Sequence, residues 1–185
     1  MPKISISLSA IILLPAVIFD PSGQLTSTVI AALLHEAGHI ALICLTGVGV
    51  KHIRVTPYGL EIQTVRSYRD LTQELAVSLA GCAVNLAFFL FLLPYGGFCA
   101  SLASSCAVLG VLNALPVTGL DGGEALFAFI SRYSDYSRTK RICRYVSFAT
   151  LVLLWTLAVY IFLFSGYNYS LFIMTVWLFA KLYCK

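Results

Sequence analysis

The sequence predicts an all-α polytopic membrane protein of about six transmembrane helices, with a small β-hairpin after the second helix. Three observations predict it. Of the 185 residues, 59% are hydrophobic, against roughly 45 to 50% in a soluble domain, which is more apolar surface than one water-soluble core of this length can hide. Long apolar runs recur along the chain, as bilayer spans require. With six crossings, all 12 Lys and Arg residues fall on one side of the membrane, which the positive-inside rule makes the cytoplasm.

Each element follows from the residues in order. The first run, Ile4 to Phe19, follows Lys3; Phe19-Asp20-Pro21 offers no small-residue cleavage pattern, so the run reads as a short helix rather than a signal peptide. The second run is Leu25 to Leu45. The connection after it carries Lys51, Arg54, Arg66 and Arg69, and β-branched residues flank Pro57-Tyr58-Gly59, which predicts a hairpin over Gly49 to Val65. A third span covers Leu71 to Leu93. The fourth run, Phe98 to Ile130, is too long for one plain helix and is broken by Asn113-Ala114-Leu115-Pro116-Val117-Thr118-Gly119-Leu120-Asp121-Gly122-Gly123. A basic, aromatic connection with Arg132, Arg138, Lys140, Arg141 and Arg144 is expected at the lipid headgroups. Two last spans, Tyr145 to Phe164 and Tyr169 to Leu182, bring Lys181 and Lys185 back to the cytoplasm, so both termini are expected there. Cys44, Cys82, Cys99, Cys106, Cys143 and Cys184 show no paired spacing and read as small apolar fillers. No repeat, low-complexity tract or soluble extension interrupts residues 1–185, which read as a single membrane-embedded domain; the partner is a lipid bilayer, and nothing points to nucleic acid.

The chemistry starts at His35-Glu36-Ala37-Gly38-His39. No other charge lies between Leu25 and Leu45, and an unpaired charge in a span costs roughly 2.5 to 3.5 kcal/mol on insertion scales. His35 and His39 lie on one helix face, so both imidazoles can reach one metal ion with Glu36 beside them. This is the zinc-protease spacing, in which the metal acidifies water and the glutamate takes its proton. A catalytic zinc takes three protein ligands and keeps one open position, and the carboxylate inside the broken fourth run, Asp121, is the obvious third. His39 and His35 stand seven and eleven residues before Thr46, and Asp121 eleven before Arg132, so all three are expected about 10 to 17 Å from the same membrane face. Irregular backbone at that depth implies a cavity.

These residues resemble the site-2 proteases, polytopic intramembrane zinc metalloproteases, and among them the compact bacterial branch related to the stage IV sporulation protease FB. His35, Glu36 and His39 match the family's His-Glu-x-x-His motif, and Asn113, Pro116, Leu120, Asp121 and Gly122 match its Asn-x-x-Pro-x-x-x-Leu-Asp-Gly motif. The resemblance implies a Zn2+ cofactor held by His35, His39 and Asp121, with Glu36 as catalytic base and acid. It also implies Asn113 as a substrate contact and Pro116 and Gly122 as structural residues. A further element of the family, Gly-x-x-x-Asn, is present as Gly81-Cys82-Ala83-Val84-Asn85, with Cys82 where a proline is usual. In the family Gly81 would be structural and Asn85 would touch substrate, while interhelical hydrogen bonding is the plainer role for that asparagine. Glu124 reads as a first-turn acid of a new helix. The resemblance implies a single protease domain with its core at about 25–132, lacking nucleotide-sensing CBS and inserted PDZ domains. The implied function is regulated intramembrane proteolysis in the plasma membrane of a bacterial cell, on a membrane-tethered protein such as a pro-transcription factor or anti-sigma factor. A separate inhibitory membrane protein is an expected partner. The hairpin would hold an unwound substrate by β-addition. Rival readings are a membrane zinc-binding or transport protein, whose polar residues would be spread along a path, and an inactive protease relative.

Overall fold

The computed structural model describes residues 3–6, 20–47, 50–56, 59–64, 70–165 and 169–183. Among them the elements run β1 (Lys3–Ile6), α1 (Gln24–Leu45), β2 (Val50–Thr56), β3 (Gly59–Thr64), α2 (Leu71–Leu92), α3 (Phe98–Asn113), α4 (Asp121–Ser131), α5 (Tyr136–Ser165) and α6 (Ser170–Tyr183). The chain divides into two compact units, Met1–Asn113 and Ala114–Lys185.

In the first unit, α1, α2 and α3 pack through small residues. The buried positions of α1 are Ser27, Ala31, His35, Gly38 and Ile43, a stripe at helical spacing. Those of α2 are Val77, Gly81, Cys82 and Asn85, and those of α3 are Ala103, Ser105, Cys106 and Gly110. A Cβ on Gly38 would lie 2.9 Å from the Ala80 carbonyl oxygen and 2.9 Å from a Val84 methyl, so α1 and α2 touch almost backbone to backbone. Such close approach is how helices associate where lipid removes the hydrophobic drive between them. Polar glue joins α1 to α3: the Ser27 hydroxyl lies 3.0 Å from those of Ser101 and Ser105. The sheet order is β1-β2-β3, with β2 and β3 antiparallel (Ile53 opposite Ile62, Arg54 opposite Glu61) and β1 parallel to β2 (Ile4 opposite Ile53).

Helix α1 starts on an unusual cap. Gly23, at φ 67°, occupies the N-cap position without a capping side chain, and Asp20 supplies the acceptor instead. Its carboxylate accepts from the Leu25 and Thr26 amides at 2.7 and 3.1 Å and from the Ser22 hydroxyl and amide at 2.7 and 3.1 Å. Those donors, the Ser22 hydroxyl foremost, hold the Asp20 carboxyl below its ordinary 3.8. A depressed folded-state pKa adds stability above the unfolded value and loses it as pH falls through the folded one. Asp20→Ala is therefore expected to lower the thermal midpoint at neutral pH, with the gap from the parent narrowing only below about pH 4. Thermal unfolding across a pH series checks this.

In the second unit, α5 and α6 enclose a core of Val117, Leu151 and Leu178. Trp155 packs on Phe172 and Phe179 at ring separations of 4.6 and 6.2 Å.

Several expectations change. The apolar run from Ile4 opens as a strand, because Ile4-Ser5-Ile6 alternates and finds a partner in β2; residues 7–19 of that expected helix lie outside the described residues. Pro57 and Tyr58, the expected turn, also lie outside them. The basic stretch expected as a connection is helical from Tyr136. Thr139, Cys143, Ser147, Leu151 and Leu154 are all buried on one face of α5, so tertiary burial extends the helix backwards through Arg138, Lys140, Arg141 and Arg144, which stay exposed. The fourth run is two helices, α3 and α4, separated by the Pro116 and glycine segment. Among the described residues, α1, α2 and α5 are long and apolar enough to cross a membrane, while α3 and residues Leu171–Tyr183 are apolar but shorter. The expected six full-length spans are not met there.

Candidate metal and catalytic site

His35 and His39 sit one turn apart on α1. His35 is buried at 5% exposure, and Glu36 and His39 are half-buried. The imidazoles meet edge to face, ring centres 4.8 Å apart, and their Nε2 atoms lie 3.1 Å from one another. Nδ1 of His39 is 2.8 Å from the Val77 carbonyl oxygen on α2; a carbonyl only accepts, so that nitrogen carries a proton, and in the neutral ring Nε2 then keeps its lone pair.

Helix α2 makes room for this pair. A Cβ on Gly81 would fall 2.5 Å from His39 Nε2 and 2.7 and 2.8 Å from His35 Cε1 and Nε2. One turn further, Asn85 is fully buried, with Nδ2 3.4 Å from His35 Nδ1. Its Oδ1 is buried and has no hydrogen-bond partner among the described residues. Gly110 of α3 closes over it, since a Cβ there would lie 3.2 Å from Asn85 Cβ. Cys82 brings Sγ within 4.8 Å of a His35 ring nitrogen, a proximity its reading as an apolar filler missed; its place beside Gly81 was the available signal.

The donor set fits a zinc ion. Two imidazole nitrogens about 2.05 Å from a tetrahedral zinc stand roughly 3.3 Å apart, close to the 3.1 Å between the two Nε2 atoms. The other nitrogen of His39 is held by a carbonyl, as ligating imidazoles usually are. The space beside the pair is one that a single methyl on Gly81 would fill.

Asn113, half-buried, ends α3. The remaining expected residues belong to the second unit. Asp121 and Glu124 are the acids of the first turn of α4, whose N-cap Leu120 is extended; Asp121 is half-buried and Glu124 exposed. The preceding segment folds back onto that turn. A Cβ on Gly122 would strike the Ala114 and Leu115 carbonyls, and one on Gly123 the Val117 carbonyl. Two residues far along the chain pin the segment. The Ser147 hydroxyl accepts from the Thr118 amide at 2.9 Å and reaches the Pro116 carbonyl oxygen at 3.4 Å. The Lys181 ammonium donates to the Gly119 carbonyl at 3.3 Å while standing 5.0 Å from the Trp177 ring centre. Neither role was legible in sequence, where Lys181 served only as a marker of topology.

His35, Glu36 and His39 thus lie on a helix long and apolar enough to cross a membrane, with the two imidazoles placed to share one metal ion. Peptidase family M50 matches residues 95–154, a stretch that contains Asn113, Pro116, Asp121 and Gly122 and excludes the histidine pair. The fold is similar to that of the site-2 protease from Methanocaldococcus jannaschii, with a TM-score of 0.67 at 19% identity over 97% of this chain and 88% of that one. No curated protein matches the sequence significantly.

Proposed function

We propose that this protein is an intramembrane zinc endopeptidase, one protease domain that cuts membrane-tethered proteins within or near their transmembrane segment. The observation that carries the reading is the His35–His39 pair, its Nε2 atoms 3.1 Å apart beside a position where only glycine fits. In this reading His35, His39 and Asp121 hold the zinc; the aspartate enters by its motif, which lies within the residues that resemble family M50. A zinc ion there would polarise the scissile carbonyl and make water more acidic. Glu36 takes the proton from the water that attacks the peptide carbon and delivers it to the leaving amine. Asn113 contacts the substrate, and the edge of β3 receives the unwound segment as an added strand. With both termini in the cytoplasm of a bacterial cell, the fragment released there fits a pro-transcription factor or anti-sigma factor, under the control of a separate inhibitory membrane protein.

Glu36→Gln keeps the size of the side chain and removes the base. Its expected outcome is unchanged zinc content with cleavage of a co-expressed single-span substrate reduced about 100-fold or more. A zinc carrier or an inactive scaffold would keep its function in that variant.

A further inference from the structure

Resting on the reading of His35 as a metal ligand, we infer that Asn85 is a positioning residue that sets the proton on His35, supporting one imidazole tautomer before metal enters and the other after. Three contacts around His35 and His39 lead there. His39 carries its proton on Nδ1, facing the Val77 carbonyl at 2.8 Å, so its Nε2 offers a lone pair toward His35 Nε2 at 3.1 Å. Two bare lone pairs at that distance repel, and something positive lies between them: a proton on His35 Nε2, or a metal ion. With the proton there, His35 Nδ1 is an acceptor, and the Asn85 amide nitrogen at 3.4 Å donates to it. The three bonds then form one consistent relay: Asn85 Nδ2–H to His35 Nδ1, His35 Nε2–H to His39 Nε2, and His39 Nδ1–H to Val77 O.

A metal ion replaces the proton between the two Nε2 atoms, and a neutral His35 then carries its proton on Nδ1. That proton needs an acceptor. Asn85 is the group that holds one in reserve, because its buried Oδ1 has no partner among the described residues. Turning the amide over places the oxygen where the nitrogen stood, a change that leaves the side-chain outline the same. The Nδ1–H then donates to Oδ1, the arrangement that orients ligating histidines and raises their basicity. No proton is gained or lost by the pair; it moves from one nitrogen of His35 to the other. An ambident amide serves both states, whereas a carboxylate serves only the second and a hydrocarbon neither. Full burial of Asn85 under Gly110 keeps water from substituting.

The test compares the full chain in lipid nanodiscs with Asn85→Asp and Asn85→Leu, measuring zinc affinity by competition with a chromophoric chelator and monodispersity as a check of folding. Asn85→Leu is expected to bind zinc about 10- to 100-fold more weakly, and Asn85→Asp, which keeps the acceptor, to stay within about tenfold of the parent. A leucine variant that binds zinc as the parent does, while cleaving less, overturns the inference in favour of a substrate contact. An aspartate variant weaker than the leucine variant overturns it in favour of packing. If the leucine variant fails to fold, 15N-histidine spectra of the parent decide: His35 should be protonated at Nε2 without zinc and at Nδ1 with it, and a His35 protonated at Nδ1 in both states overturns the switch. A parent chain that takes up no zinc overturns the metal-site reading itself.

Discussion

Gly81→Ala is expected to abolish zinc binding and proteolysis together while leaving the helices formed. A methyl group on Gly81 would stand 2.5 Å from His39 Nε2 and 2.8 Å from His35 Nε2, the two atoms that the proposed metal needs. Helix α2 itself is not the casualty, since alanine is favoured over glycine in a helix interior by about 1 kcal/mol. That gain offsets part of an overpacking cost of about 1 to 3 kcal/mol, which leaves a net loss of about 0 to 2 kcal/mol, small enough to keep the helices formed. The histidines can relieve the overlap only by swinging apart, and a pair swung apart no longer shares one ion. Helical content by circular dichroism should match the parent, zinc per chain should fall to near zero, and substrate cleavage should vanish. Gly96→Ala, where nothing lies within 4 Å of the added methyl, is the matched control and should behave as the parent. Full zinc content in Gly81→Ala would contradict the proposed site.

The second large effect is expected at Gly122→Ala, and it has the opposite signature. Here the added methyl meets the Ala114 and Leu115 carbonyls, which are backbone and cannot step aside as a side chain can. The segment that folds over the first turn of α4 must lift, and with it go the Ser147 and Lys181 contacts at Thr118 and Gly119. The cost is about 1 to 3 kcal/mol or more. It should be read as a lowered thermal midpoint of the purified protein and faster proteolytic nicking between α3 and α4. Asp121 is the neighbouring residue, so activity should fall with stability rather than apart from it. Gly123→Ala, opposed by the Val117 carbonyl, should reproduce the defect.

The proximity of His35 and His39 was legible in the chain because its signal is local. Histidines four apart inside an apolar run mark a helix face, and α1 and α2 begin and end within a residue or so of the runs that announced them. What escaped was decided by partners remote in sequence. Lys3–Ile6 is a strand because β2 is there to pair with it, and an apolar count cannot see a partner. The first turns of α5 read as a polar connection because Thr139 and Cys143 look unremarkable until they are found buried in line with Leu151. Asn85 stands out by its motif, yet whether its amide faces a histidine or a substrate depends on how α1 and α2 come together. Ser147 and Lys181 carry no local signature for the contacts they make.

The small residues that line α1, α2 and α3 set a rule for how the first unit tolerates change. Apart from Ile43, Val77, His35 and Asn85, the buried positions of these helices hold serines, alanines, glycines and cysteines where a soluble core would hold leucines and phenylalanines, so helix spacing there is governed by side-chain volume rather than by oiliness. Exchanges such as serine for alanine at these positions keep the spacing, whereas a single added isopropyl group wedges two backbones apart. Variants of this unit should therefore sort by the bulk they introduce, and a hydropathy scale, which serves so well to find the spans, would rank them in the wrong order.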